Sequence, residues 1–267
     1  MDFDTEQTLA VIKKFIGEKL SESGLGGYVV GLSGGIDSAV SATLAVRAVG
    51  TAKVLAVMIP YRTSTRESVT HARELAQKIG IEHREIDITP MIDAYFPSIT
   101  DYNRLRAGNK MARERMSILF DIANELDRLV LGTGNRTEIC LGYTTWYGDA
   151  ACSLDPLGEL YKTEIRQLAS RLDVPEVIIS KAPSADLWVG QTDEEDIGVT
   201  YERIDRLLQL IIDEGITSMS TLKDEGCRPD DINRVVSLMN RNAFKRRLPD
   251  IACFGRKPIP ANIMLQE

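Results

Sequence analysis

The sequence predicts an α/β fold: a doubly wound, mostly parallel sheet flanked by helices, with extra helices toward the C-terminus. Three observations carry that expectation. Wholly apolar runs at 28–32 and 54–59 read as strands buried on both faces, as parallel strands are. Each run is followed by a segment with apolar residues at helical spacing, the mark of βαβ units. The first junction, "GLSGGIDSAV" (31–40), sets glycines between strand and helix, where such sheets bind their ligands.

The elements follow in order. Leu9, Ile12, Phe15, Ile16 and Leu20 predict a helix over 5–20. Strand 28–32 precedes helix 37–49, and strand 54–59 precedes helix 65–79; a short strand is expected at 85–88. The stretch 103–126 reads as helix in its later part and leads into an apolar strand at 129–131. The pattern is then irregular through "GYTTWYGDAACSLDPLGEL" (142–160) before a helix at 162–172, with Pro175 soon after. The polar "WVGQTDEEDIG" (188–198) separates it from two helices, 201–212 and 229–244. Irregular segments of this length suggest substrate loops rather than connectors.

Bulk properties narrow the function. With 267 residues the chain can bury a large core, and 43% hydrophobic with 27% charged residues is ordinary for a globular protein. A net charge of −7 argues against nucleic acid as a partner, so a polyanionic ligand needs a local cluster of positive groups. The four cysteines form no C-x-x-C pair, and neither a disulfide framework nor a zinc site is indicated. No basic-then-apolar leader and no apolar run of membrane-spanning length is present, so a cytoplasmic protein without a membrane partner is expected.

The junction after the first strand carries the chemistry. Gly34 and Gly35 let backbone N–H groups wrap an anion, the following helix start adds positive potential, and Ser33 and Ser38 offer hydroxyls. Asp37 is the informative residue. A carboxylate facing a phosphate repels it unless a cation lies between them, which suggests Mg²⁺; the plainer reading is a helix cap. No lysine follows the glycines as in a Walker A loop. "LGTGNRT" (131–137) has threonine where a dinucleotide fingerprint has its last glycine. Lys162 begins a predicted helix, an unfavourable place for a cation unless it faces an anion.

"SGGIDS" after an apolar strand resembles the pyrophosphate loop of the ATP-pyrophosphatase group, whose fold is adenine nucleotide alpha hydrolase-like. "GNKMARERM" (108–116), "LGTGNRTE" (131–138), "YGDA" (147–150), "LYKTEIRQLA" (160–169), "PSADLWVGQTDE" (183–194) and "FKRRLP" (244–249) are similar, in order, to blocks of the ammonia-dependent NAD synthetases. The resemblance spans nearly the whole chain and implies a single domain over 1–267, with no N-terminal glutaminase domain. It also implies a ligase that uses ATP, Mg²⁺ and free ammonia to turn deamido-NAD into NAD through an acyl adenylate, releasing AMP and pyrophosphate. A homodimer is implied too. The first alternative is a ligase of the same group acting on another carboxylate or tRNA; the second is a non-catalytic ATP-binding module.

The resemblance assigns residues as follows. Gly31, Leu32, Ser33, Gly34, Gly35, Ile36, Asp37 and Ser38 hold the ATP phosphates, helped by Thr133, Lys162 and Ser184. Turn and cap readings of Thr133 and Ser184 stay open. Asp37 and Glu138 bind the metal. Arg113, Trp146, Asp149, Ser153, Phe244 and Lys245 fall on the deamido-NAD side, with Arg115 either beside them or structural. Asp149 and Lys162 are the catalytic candidates, Asp149 as the group that holds ammonium and takes a proton. Several family members carry Lys, Asp and His where Trp146, Ser153 and Phe244 stand, so the departures gather on the acceptor side.

Overall fold

A computed structural model of the chain describes residues 3–100, 103–184, 188, 190–249, 251, 252, 254 and 255. Their sheet has four parallel strands in the order β3-β2-β1-β4: β1 (Tyr28–Gly31), β2 (Val54–Met58), β3 (Glu82–Glu85) and β4 (Leu129–Leu131). The chain leaves β1 toward β2 and β3, then returns to place β4 on β1's other edge. The direction of winding therefore reverses between β1 and β4, and a crevice opens at their carboxyl ends.

Alternation along the strands explains the two covered faces. Tyr28, Val30, Ala56, Met58 and Leu131 join one core with α1 (Thr5–Ser23), α2 (Ile36–Val49), α3 (Arg66–Ile79) and α7 (Lys162–Arg171). Val29, Leu55, Val57 and Val130 pack on the other face under α4 (Thr89–Tyr95) and α5 (Arg104–Glu125). Each fully buried aliphatic side chain contributes about 1.5–3 kcal/mol relative to exposure, so both faces drive sheet formation. Tyr28 Oη also donates to the Ile16 carbonyl at 2.6 Å, fastening α1 to the central strand.

A third core joins α6 (Arg136–Leu141) to the C-terminal helices. These are α9 (Asp193–Ile197), α10 (Tyr201–Leu208), α11 (Met219–Asp224) and α12 (Pro229–Arg241); short α8 (Glu176–Ile179) packs instead on α7 and α2. Among the described residues no helix is long and apolar enough to cross a membrane.

Several expected boundaries are corrected. The third strand is not 85–88 but Glu82–Glu85, a polar sequence on the sheet edge. Edge strands tolerate charge because they pair through backbone alone. The apolar Ile86 and Ile88 fall beyond it, and Ile88 is buried at the start of α4, which the periodicity does not reveal. Helix α5 runs the whole of Arg104–Glu125, because small Ala107, Gly108 and Ala112 supply most of the buried face of its first half in place of long apolar side chains. The 201–212 helix stops at Leu208 and continues as one wide π-turn, Gln209–Asp213. The 229–244 helix ends at Arg241 before a 3₁₀ turn, Ala243–Arg246.

Candidate active site

The loop after β1 is stitched by its own serines. Ser38 Oγ accepts from Ser33 N at 3.2 Å and donates to the Gly35 carbonyl at 2.9 Å, while Ser33 Oγ accepts from Gly35 N at 3.2 Å. The first-turn amides of α2 lack intrahelical acceptors and so remain available at this cradle. Gly34 has φ +80°, and a Cβ there would stand 2.2 Å from the Ser68 carbonyl oxygen of α3. Only glycine fits that close approach. Leu32 N donates to the Val57 carbonyl at 2.9 Å, so β2 holds the loop's first residue.

Asp37 is not the cap of α2; Gly35 occupies that position. Its carboxylate crosses the crevice, accepting from Asn135 Nδ2 at 3.0 Å and from Lys162 Nζ at 2.6 Å. Lys162 Nζ also reaches Glu138 Oε1 at 3.1 Å. Asn135 and Glu138 form the capping box of α6: Glu138 N donates to Asn135 Oδ1 at 2.9 Å, and Asn135 N donates to Glu138 Oε2 at 3.4 Å. Thus the turns after β1 and β4 and the start of α7 meet at one ammonium. Its side chain is 2% exposed, against 18% for Asp37 and 20% for Glu138. Lysine at a helix start is explained by these two carboxylates, which outweigh both burial and dipole.

Electrostatics follow from that packing. Burial alone would lower the Lys162 pKa, but Asp37 and then Glu138 hold it above its usual value. Burial pushes Glu138 up, opposed by Lys162. Asp155 lies over the turn after β4, where a Cβ on Gly134 would meet its Oδ2 at 2.8 Å. Burial, with a contribution from Asp37, raises its pKa to about 7, while the Leu157 amide opposes the rise. Its Oδ1 is buried with no hydrogen-bond partner.

Behind Lys162 the C-terminal helices close the wall. The ammonium stands 5.1 Å from the Tyr201 ring centroid, and Tyr201 Oη donates to Asp193 Oδ2 at 3.1 Å. Asp205 Oδ1 accepts from Thr137 Oγ1 at 2.5 Å and its Oδ2 from Thr163 N at 2.9 Å, tying α10 to the starts of α6 and α7. Thr133 sits partly exposed in the β4 turn, and Ser184 is exposed in the loop beyond α8 rather than at a helix start.

Of the residues expected on the acceptor side, Arg113, Trp146, Asp149, Phe244 and Lys245 form a second group. Trp146 stacks on Tyr147 (centroids 4.4 Å, 27°) and meets the edge of Phe244 (5.3 Å, 81°). Arg113 Nε donates to the Trp146 carbonyl at 3.2 Å, whereas Arg115 Nε turns to the Ile59 carbonyl at 2.9 Å, beyond β2. Asp149 Oδ1 accepts from Thr145 N at 2.8 Å and its Oδ2 from the Thr144 hydroxyl. Lys245 Nζ donates to the Gly142 and Thr144 carbonyls, both at 2.7 Å; burial lowers its pKa, with Asp149 opposing and Arg241 adding to that. Ser153 is drawn away from this group, its Oγ accepting from Val130 N at 3.1 Å beside β4.

Sequence reasoning missed Asn135, Asp155, Asp193, Tyr201 and Asp205. For Asn135 a signal existed, since N-x-x-E before a helix spells a capping box. A separate surface cavity of about 410 Å³, bordered by Tyr61, Arg62, Arg66, Arg73 and Glu85, contains none of the expected site residues.

A family model described as NAD synthase matches residues 8–249. The chain is 46% identical to the NH(3)-dependent NAD(+) synthetase of Fusobacterium nucleatum, over 96% of this chain and 99% of that one. It is 46% identical to the NH(3)-dependent NAD(+) synthetase of Pelodictyon phaeoclathratiforme, over 93% and 90% respectively. Among solved structures it is similar to the NMN synthetase from Francisella tularensis (TM-score 0.83, 35% identity), covering 95% of this chain and 100% of that one. It is also similar to the NH3-dependent NAD synthetase from Campylobacter jejuni (TM-score 0.79, 34% identity), covering 94% and 99%.

Proposed function

Since the chain belongs to the NAD synthase family, we infer how its own residues carry out that chemistry. The reaction is the ATP-dependent amidation of deamido-NAD with ammonia, forming a carbon–nitrogen bond. The nicotinate carboxylate attacks the α-phosphorus of ATP and pyrophosphate leaves. Ammonia then adds to the acyl carbon, loses a proton, and AMP departs with the C–O bond pair. No protein nucleophile is required. The nearby Cys152 thiol is partly buried, and burial, with Asp155 adding to it, pushes its pKa up to about 12, the reverse of an activated nucleophile.

One observation carries the assignment of roles: Asp37, Glu138 and Lys162 meet at the winding reversal, directly beyond the Gly31–Ser38 cradle. In this reading the cradle and Thr133 hold the ATP phosphates, Ser184 adds a hydroxyl, and Lys162 keeps the two carboxylates aimed at the crevice. Magnesium fits the residues present. Asp37 and Glu138 offer hard carboxylate oxygens, and Asp155 Oδ1 is a buried acceptor without a partner beside them. When bound, the ion would neutralise charge on the polyphosphate and its leaving group.

Asp149 sits beside the aromatic group, its two oxygens anchored by Thr144 and Thr145. It holds ammonium and accepts the proton lost on attack, while Trp146 and Phe244 offer ring faces and edges to the pyridine, and Arg113 and Lys245 line the dinucleotide path; Ser153, turned to the Val130 amide, takes no part in this reading. The whole chain acts as one cytoplasmic domain in this reading, and its pairing as a homodimer is taken from the family resemblance.

A second acceptor, nicotinate mononucleotide, is favoured by the fold likeness to an NMN synthetase together with the unusual Trp146, Ser153 and Phe244. Pyrophosphate release and amide formation, measured separately with each acid, test both readings. Asp149→Asn is expected to retain pyrophosphate release and to lose about a hundredfold in amide formation. Unchanged amidation would remove Asp149 from the step, and no release with either acid would reject the ligase itself.

A further inference from the structure

Lys162 cannot be the cation that receives ATP's charge alone. It is committed to Asp37 at 2.6 Å and Glu138 at 3.1 Å, so its N–H donors already point at carboxylates. A polyphosphate approaching this crevice needs a positive group that no carboxylate has claimed. From the geometry we propose that Lys181 is that group: a polyphosphate-binding residue on the α3 side of the cradle.

Lys181 follows α8, which packs against α7 and α2 and so fixes where the chain emerges. Its Nζ donates to Ser68 Oγ at 2.6 Å. Ser68 is 3% exposed in the first turn of α3, and its hydroxyl also pairs with Thr65 Oγ1 at 2.6 Å. The Ser68 carbonyl is the very atom that Gly34 approaches so closely. The ammonium is thus one residue removed from the phosphate loop, half-buried, and bonded to a neutral hydroxyl. Among the described residues it makes no ion pair; Glu67, in the same turn of α3, is exposed and unpaired with it. An ammonium has three N–H donors, and a neutral serine satisfies one. The positive end of α3 beside it makes a cation there less favourable, not more, unless an anion joins them. Ser184, three positions on, is the hydroxyl already expected at the phosphates.

The inference rests on reading Gly31–Ser38 as the ATP cradle. Titration calorimetry of the full chain with inorganic pyrophosphate and magnesium chloride, alongside the KM for ATP, tests it. Lys181→Met should weaken pyrophosphate binding and raise the ATP KM about tenfold or more, with the acceptor KM and melting temperature unchanged. The salt dependence of binding should flatten, and Lys181→Arg should restore affinity to within about threefold. If the methionine variant fails to fold, Lys181→Gln keeps a donor for Ser68 and gives the same readouts. Pyrophosphate affinity within about twofold of the parent in a folded variant overturns the role of Lys181 alone. Absence of pyrophosphate binding by the parent protein overturns the cradle as well.

Discussion

At the scale of single residues, Lys162 has the largest expected effect on stability. Removing one member of a buried ion pair leaves uncompensated charge, so Lys162→Met should lower the unfolding free energy by about 3 kcal/mol or more. Urea denaturation at neutral pH measures it, and a loss below about 1 kcal/mol would mean that the carboxylates find other partners. Asp155 makes a prediction of opposite sign. Its carboxyl titrates near 7 when folded and near 3.8 when free, so the folded state keeps a proton that the unfolded chain has lost. Stability therefore falls as pH rises through that window. Asp155→Asn should gain on the order of 2–4 kcal/mol at about pH 8 and nothing near pH 4. A gain independent of pH would contradict that origin. Why such a residue persists is then a question of function, for strained carboxyls gather where ligands bind. Asp37 was legible in the loop motif itself and Glu138 through the family resemblance, because their neighbours in sequence build the turns they occupy. Asp155, Asp193 and Asp205 were not, because what makes them special is burial against elements far along the chain.

At the scale of elements, the close contact between the cradle and α3 is the most sensitive joint. Gly34→Ala combines a left-handed backbone with a Cβ driven into the Ser68 carbonyl, which backbone cannot yield. A loss of at least about 2 kcal/mol is expected, with a raised KM for ATP in whatever remains folded. Normal ATP kinetics would show that α3 can retreat. The buried strands and amphipathic helices were readable because one period dominates each. The misjudged pieces have physical causes in common: β3 is an edge held by backbone pairing, α5 buries small residues, and the π-turn after α10 breaks no hydrophobic pattern. That turn sets Asp213, which accepts from Arg136 Nη2 at 2.6 Å and from Tyr161 Oη at 2.9 Å.

At the scale of the molecule, two halves of unequal legibility meet. The proposed nucleotide half is written in one contiguous loop and its strand. The proposed acceptor half is assembled from α5, the 142–149 segment and the chain after α12, so its composition emerges only when those segments converge. β1 lies between β2 and β4 in aligned register, Tyr28 facing both Val54 and Leu129. Its amide hydrogens should therefore exchange with deuterium only through opening of the whole domain, measurably slower than those of β3 at the sheet edge. Comparable exchange in the two strands would refute this. A cradle rooted in a strand paired on both edges is held in shape before any ligand arrives, so the movement that admits ATP and sheds pyrophosphate is expected in the opposite wall, where Lys162 at the start of α7 lies against Tyr201 of α10.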